Sequence, residues 1–152
     1  MKLKNILIVA GLFVAGSFIL VKKKVDELQA TFDKMTMSLY LARNVRIGLK
    51  EIKFDLDIIL KNNSNLDFFV SGSAVATLTR LQILYQNNII GVAHVNISEI
   101  ALPAYDSIVL KDIPIIISTS NFVNNLSNIN NLIKNFEIIG FVNVLGIEYQ
   151  VG

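Results

Sequence analysis

Between Ile52 and Leu60 the chain places an apolar residue at every second position, Ile52, Phe54, Leu56, Ile58 and Leu60, with Lys53, Asp55 and Asp57 among the residues between them. Side chains of an extended strand alternate between its two faces, so this segment predicts a strand with Leu56 and Ile58 in the core and Asp55 and Asp57 in water. An Asn-rich run over Asn62 to Asn65 stops it. Upstream, Val45, Ile47 and Leu49 alternate on odd positions, so the phase slips at Lys50 and Glu51, and a bulge or strand break must absorb the slip. Downstream, Phe68 to Ala76, Leu78 to Gln86 and Ile89 to Val95 are rich in strand formers. Asn87-Asn88 separates the last two as a hairpin turn, because Asn tolerates positive φ. Glu99 to Pro103 and Ser107 to Thr119 add extended segments, with Pro103 and Pro114 suited to edges. Phe136 to Val151 is apolar at both parities, as in a strand covered on both sides.

Two segments carry a helical period. Ser120 can cap a helix over 121–134 whose Phe122, Leu126, Ile129 and Ile133 share a face. Val25, Leu28, Phe32, Met35, Leu39 and Ala42 are spaced three and four apart, which predicts an amphipathic stalk helix over 25–43. That stripe would pack on the β-domain, lie along a membrane surface, or form a coiled-coil seam with other copies. The expected architecture is mainly β: six to eight strands and one late helix in an antiparallel β-sandwich over 44–152, preceded by an N-terminal transmembrane and stalk helix.

The transmembrane expectation rests on Ile6 to Val21, sixteen residues without a charge between Lys4 and Lys22. As a helix this stretch spans about 24 Å, somewhat less than the hydrocarbon core of about 30 Å, and flanking lysines can snorkel to make up the difference. Its lipid-facing residues would be Ile6, Leu7, Ile8, Val9, Leu12, Phe13, Val14, Phe18, Ile19, Leu20 and Val21, with Lys2, Lys4, Lys22, Lys23 and Lys24 at the headgroups. A cleaved signal peptide is the competing reading, with Ala15-Gly16-Ser17 as its small-residue site. Against it, the apolar run continues through Phe18 to Val21 and ends in three lysines. Gly11 and Ala15 form a weak small-xxx-small pair for helix association.

Composition narrows the function classes. The chain is 53% hydrophobic and 17% charged over 152 residues, too apolar for a typical soluble domain and too charged after residue 22 for several membrane spans, so one anchor and one folded unit reconcile the two. Residues 1–43 carry seven Lys/Arg against three Asp/Glu, a net of +4. Residues 44–152 carry seven against nine, a net of −2. The basic charge therefore flanks the apolar stretch, where lipid headgroups would meet it, and a faintly acidic domain argues against nucleic acid as a partner. With lysines on both sides of the stretch, the positive-inside comparison is close to a tie, with a slight lean to a domain outside the cytoplasm.

The absence of Cys excludes disulfides, thiolate chemistry, Cys-ligated metals and a lipid-modified N-terminal Cys. His94 is the only histidine and sits in an alternating run with Ile90 and Val92, which suits a partly buried structural imidazole. Asp55 and Asp57 share a strand face with Lys53 and Lys61, which suits a solvated charged face better than an acid/base pair. No nucleophile elbow, phosphate loop or dinucleotide fingerprint is present. No catalytic residue, cofactor or metal is expected.

An alternating strand, an Asn-containing turn at Asn63-Ser64-Asn65, a strand pair with Gly91 after a two-residue turn, an Ile-x-Leu-Pro segment at Ile100 to Pro103 and a final β-stretch follow one another in this chain. Over roughly residues 45 to 150 this order resembles the late-embryogenesis-abundant group 2 domain, also called the water-stress and hypersensitive-response domain. In that family the first turn usually reads Asn-Pro-Asn, and here Ser64 stands where proline is expected. The resemblance implies a fibronectin-like antiparallel sandwich, no enzymatic activity, a position near a membrane and a role in stress tolerance. It supplies no ligand or binding residue. Two function classes follow: a structural tether linking a bilayer to a protein shell or envelope assembly, through capsid, envelope or self contacts, and a stress-associated binding module of a bacterial membrane. The Ile, Asn and Lys usage fits a bacterium or its phage, hence a bacterial inner membrane or the internal membrane of a virus. The loops at Asn62 to Asp67 and Pro103 to Asp106 are the expected contact surfaces, because they interrupt strands without strong charge.

Overall fold

In a computed structural model of the chain, residues 26, 28–70, 76–98, 100–144 and 146–152 are described. Strand β2 (Glu51–Asn62) realises the alternation, with Ile52, Phe54, Leu56, Ile58 and Leu60 all buried. It is the middle strand of a three-stranded antiparallel sheet, flanked by β1 (Met35–Ile47) and β7 (Ser107–Ser118). A four-stranded antiparallel sheet has the order β5 (Asn88–Ile97), β4 (Ala76–Tyr85), β8 (Glu137–Val144), β9 (Ile147–Val151). A small antiparallel pair, β3 (Phe68–Val70) with β6 (Ile100–Leu102), completes the strands.

The buried faces of the two large sheets belong to one apolar core. Leu56, Ile58, Ile115 and Ile117 come from the first sheet; Leu78, Leu81, Ile83 and Val142 come from the second. Two glycines set how closely the sheets approach at their edges. A Cβ on Gly91 would lie 2.7 Å from Ile117 Cγ2, so a bare backbone lets β5 run against β7; at Gly140 a Cβ would overlap the end of Met37, where β8 meets β1.

The chain between residues 25 and 43 differs from the stalk helix that its spacing predicts. Residues 28–32 are helical, but strand begins at Met35, so the β-domain starts nine residues before the expected boundary at 44. Met35 and Met37 are buried and Leu39 half-buried, with Thr36 and Ser38 exposed between them. The helical stripe includes Met35 and Leu39 only because both periods pass through those positions. Pairing with β2 decides for the strand, a long-range term that local spacing does not contain. The helical turn itself packs inward, with Phe32 stacked on Tyr149 at 4.9 Å and edge-on to Phe68 at 5.1 Å.

Other expectations shift in detail. The phase slip at Lys50 and Glu51 is a hairpin turn, closed by Gly48 N–H donating to the Glu51 carbonyl at 2.8 Å. The second hairpin turns at Gln86-Asn87, one residue earlier than expected, with φ of 50° and 64° at those two positions, a pair of left-handed residues of the kind a two-residue hairpin loop requires. Phe136 to Val151 is two strands, with a turn through Gly146 at φ 86°. The late helix is fragmented into 3-10 turns at Thr119–Phe122 and Leu126–Asn128 and a five-residue α-helix at Ile129–Ile133, as its asparagine content disfavours continuous helix. Phe122, Ile129 and Ile133 still face the core. Among the described residues, no helix is long and apolar enough to cross a membrane.

Candidate functional site

Two polar clusters within the β-domain hold the most chemistry. The first centres on Asp57, which alternation places on the solvated face of β2 but which is 4% exposed. Strand β2 stays regular there while both neighbours bulge. Strand β1 gains a residue at Tyr40, between Leu39 and Leu41, and strand β7 gains one between Leu110 and Ile113. In the β7 bulge Asp112 takes φ 57° and donates its backbone N–H to Asp57 Oδ1 at 2.9 Å. Arg43 Nη2 donates to Asp57 Oδ1 and to Asp112 Oδ1, both at 2.7 Å. Two bulges thus converge on one carboxylate and close it off from water.

The Asp112 N–H, and then the Arg43 guanidinium, hold the Asp57 carboxyl below the usual carboxylate range; the bond to Asp57 raises Arg43 in turn. A carboxylate so stabilised is a weak proton acceptor, and its Oδ1 already accepts two hydrogen bonds. The cluster joins three strands and is poorly suited to acid/base work. Arg43 Nε is buried without a hydrogen-bond partner, consistent with a side chain held by its outer nitrogen. Asp55, half-buried, accepts from Asn44 Nδ2 at 2.7 Å.

The second cluster lies at the end of β2, in the loop Asn62 to Asp67 that the sequence marks as a contact surface. Asn63, Ser64 and Asn65, the turn motif that carries the family resemblance, fall in this loop, with Asn63 and Asn65 exposed and Ser64 buried. The organising residue is Asn62, just before the motif and 0% exposed. Its Nδ2 donates to the carbonyls of Leu66 at 2.7 Å and of Leu102 and Pro103 at 3.2 Å. Its Oδ1 accepts from Ser64 N–H at 2.9 Å and Ser64 Oγ at 2.6 Å. Asn62 N–H donates to the Asp106 carbonyl, Tyr105 N–H to the Ser64 carbonyl, and Ala104 N–H to Asp67 Oδ1. The loops at 62–67 and 103–106 are therefore one hydrogen-bonded unit. Asn63 N–H also bonds the Lys34 carbonyl, so this is the end of the domain at which the N-terminal segment enters.

His94 is exposed, contrary to the partly buried position expected from its neighbours; it stands opposite Arg80 on the outer face of the second sheet. Arg80 lies 4.0 Å above the Phe141 ring and pairs with Glu148 at 2.7 Å, an external cation–π and ion-pair ladder. Among the described residues no group of three or more His, Asp or Glu side chains is placed to hold a metal ion. The anchor residues Ile6 to Val21 and the lysines at 2, 4, 22, 23 and 24 lie outside the described residues.

No protein-family model matches the chain, and neither does any curated protein.

Proposed function

We propose that this protein is a non-enzymatic membrane tether, in which residues 1–24 sit in a lipid bilayer and a fibronectin-like antiparallel β-sandwich engages neighbouring proteins of a shell or envelope assembly. The observation that carries the reading is the lysine-bracketed apolar stretch Ile6 to Val21 directly ahead of a β-domain whose interior polar groups, Asp57, Arg43 and Asn62, bind strands and loops to each other. Such a domain acts through its surfaces. The joined loops at 62–67 and 103–106 stand beside Lys34, at the N-terminal end of β1, and expose Leu66 and Tyr105, which suits a contact close to the membrane.

A stress-associated module of the late-embryogenesis-abundant type is the second reading. The Asn62 to Asn65 turn favours it, because the motif behind the resemblance coincides with a densely hydrogen-bonded loop. Alkaline extraction of source membranes followed by crosslinking tests the tether. The chain should stay in the pellet and crosslink through residues 62–67 or 103–106 to other proteins. Release into the supernatant removes the anchor, and an intact chain in the pellet without any protein crosslink favours the second reading.

A further inference from the structure

The end of the domain away from Lys34 carries a surface of a different kind. Strand β1 is 13 residues long but its bulges set it against 11 residues of β2, which puts Ile47, just before the far turn Gly48 to Lys50, about 33 Å from Met35 at ~3.3 Å per residue. Leu49 at the tip of that turn is 101% exposed and Ile47 is 49% exposed. The backbone behind them is fixed by three hydrogen bonds: Gly48 N–H to the Glu51 carbonyl, Thr119 N–H to the Lys50 carbonyl, and Thr119 Oγ1 to the Gly48 carbonyl. Leu49 is thus presented on a braced turn, where a floppy loop could have folded it away.

Neighbouring loops add to this end. The Thr119 bonds bring residues 119–122 beside the turn, and Phe122 in turn contacts Tyr85, which leads into the Gln86-Asn87 hairpin. Val123, just after residues 119–122, and Ile89, at the start of β5, are 65% and 56% exposed. Charge on the turn is one-sided: Glu51 pairs with Lys53 at 3.2 Å, while Arg46 and Lys50 have no ion-pair partner among the described residues.

We propose that this distal end docks on an anionic lipid surface, through Leu49 inserted among acyl chains and Arg46 and Lys50 on the headgroups. A bilayer is the occupant that fits, because the far turn offers Ile47 and Leu49 with the unpaired cations Arg46 and Lys50 beside them, and two neighbouring segments each add one aliphatic side chain. That arrangement matches a deformable apolar layer under an anionic surface. A stable protein interface needs a continuous patch of about 800 Å² per partner, for which single side chains on separate turns are poorly suited. The proposal rests on the anchored reading for its consequence: with residues 1–24 in one membrane, the domain bridges to a second.

Full-length chain reconstituted in phosphatidylcholine vesicles tests it by capture of a second, labelled vesicle population in co-flotation. Vesicles containing phosphatidylglycerol should be captured and pure phosphatidylcholine vesicles should not, with capture lost at high salt. Lys50→Gln should weaken capture about fivefold, as expected for one surface cation, and Leu49→Ser about tenfold. Equal capture of neutral vesicles, or unchanged capture with both variants, overturns the proposal. So does a photoreactive residue introduced at Leu49 that labels protein and no lipid in source membranes. If the chain does not remain in the first vesicles, the anchor reading fails on its own, and direct cosedimentation of the chain with phosphatidylglycerol vesicles then decides the tip.

Discussion

Asn62→Ala should destabilise the domain by about 3 kcal/mol, and the figure follows from which of its partners water can reach. The side chain makes five hydrogen bonds. Those to the Leu66 and Pro103 carbonyls are part-buried, so water entering the vacated space can replace them at little cost. The bonds to the Leu102 carbonyl, Ser64 N–H and Ser64 Oγ are buried, and each left unmade costs ~1 kcal/mol or more. Asn63→Ala removes one exposed bond of 3.3 Å to Thr36 Oγ1 and should change stability by no more than ~0.5 kcal/mol. Asn62→Asp is the sharper variant, since it keeps the acceptor for Ser64 but points a carboxylate at three carbonyls; it should be at least as damaging as alanine. Urea unfolding of the purified chain, followed by far-ultraviolet circular dichroism, measures all three. Hydrogen exchange at Tyr105 N–H and Asn62 N–H reports whether the joined loops separate first. Equal losses at 62 and 63, or a tolerated Asn62→Asp, would refute the account of this turn.

Gly91→Ala should cost about 1–3 kcal/mol, because the new methyl meets Ile117 Cγ2 on a stiff β-branched side chain; pairing it with Ile117→Ala should recover part of the loss, read as a coupling energy in a double-mutant cycle. Asp57 gives a pH signature: its carboxyl is depressed in the folded state, so the stabilisation is present above the ordinary value of 3.8 and is lost as pH falls through the lower folded value. Asp57→Asn should remove that acid-range slope from urea midpoints measured against pH, and an unchanged slope would locate the effect elsewhere.

Local pattern was enough for β2 and for the extent of β7, and misleading for the first part of β1. Ile52 to Leu60 alternate without interruption, and all five are buried because the strand itself never bulges. Asp57 obeys the same alternation and points where the pattern puts it; what buries it is an extra residue in each adjacent strand, information held in Tyr40 and in the stretch before Ile113. Strand β1 was hidden because its bulges break the period of two after Leu39, leaving a spacing that a helix fits equally well. In β4 the same device keeps both Leu78 and Leu81 inside across an odd interval, through a register shift between Leu78 and Arg80. The role of Asn62 within its turn is hidden for another reason: an asparagine at a strand end reads as a turn former, and nothing nearby in sequence reveals that its amide reaches carbonyls 40 and 41 residues away.

Strand β1 also has a mechanical meaning. It enters the domain beside the N-terminal segment and reaches the opposite end as one extended covalent run of 13 residues. Its two bulges let 13 residues span what 11 cover in β2, about 33 Å at ~3.3 Å per residue against about 43 Å for the same run fully stretched, so about 10 Å of length is stored in them. Load applied between Met35 and Gly48 is then borne first by the hydrogen bonds to β2, because the peptide chain is not taut until both bulges have been drawn straight. A molecule pulled along this line has two short lengths of slack, at Tyr40 and at Asn44 to Val45, that yield before the strand as a whole is stripped from β2.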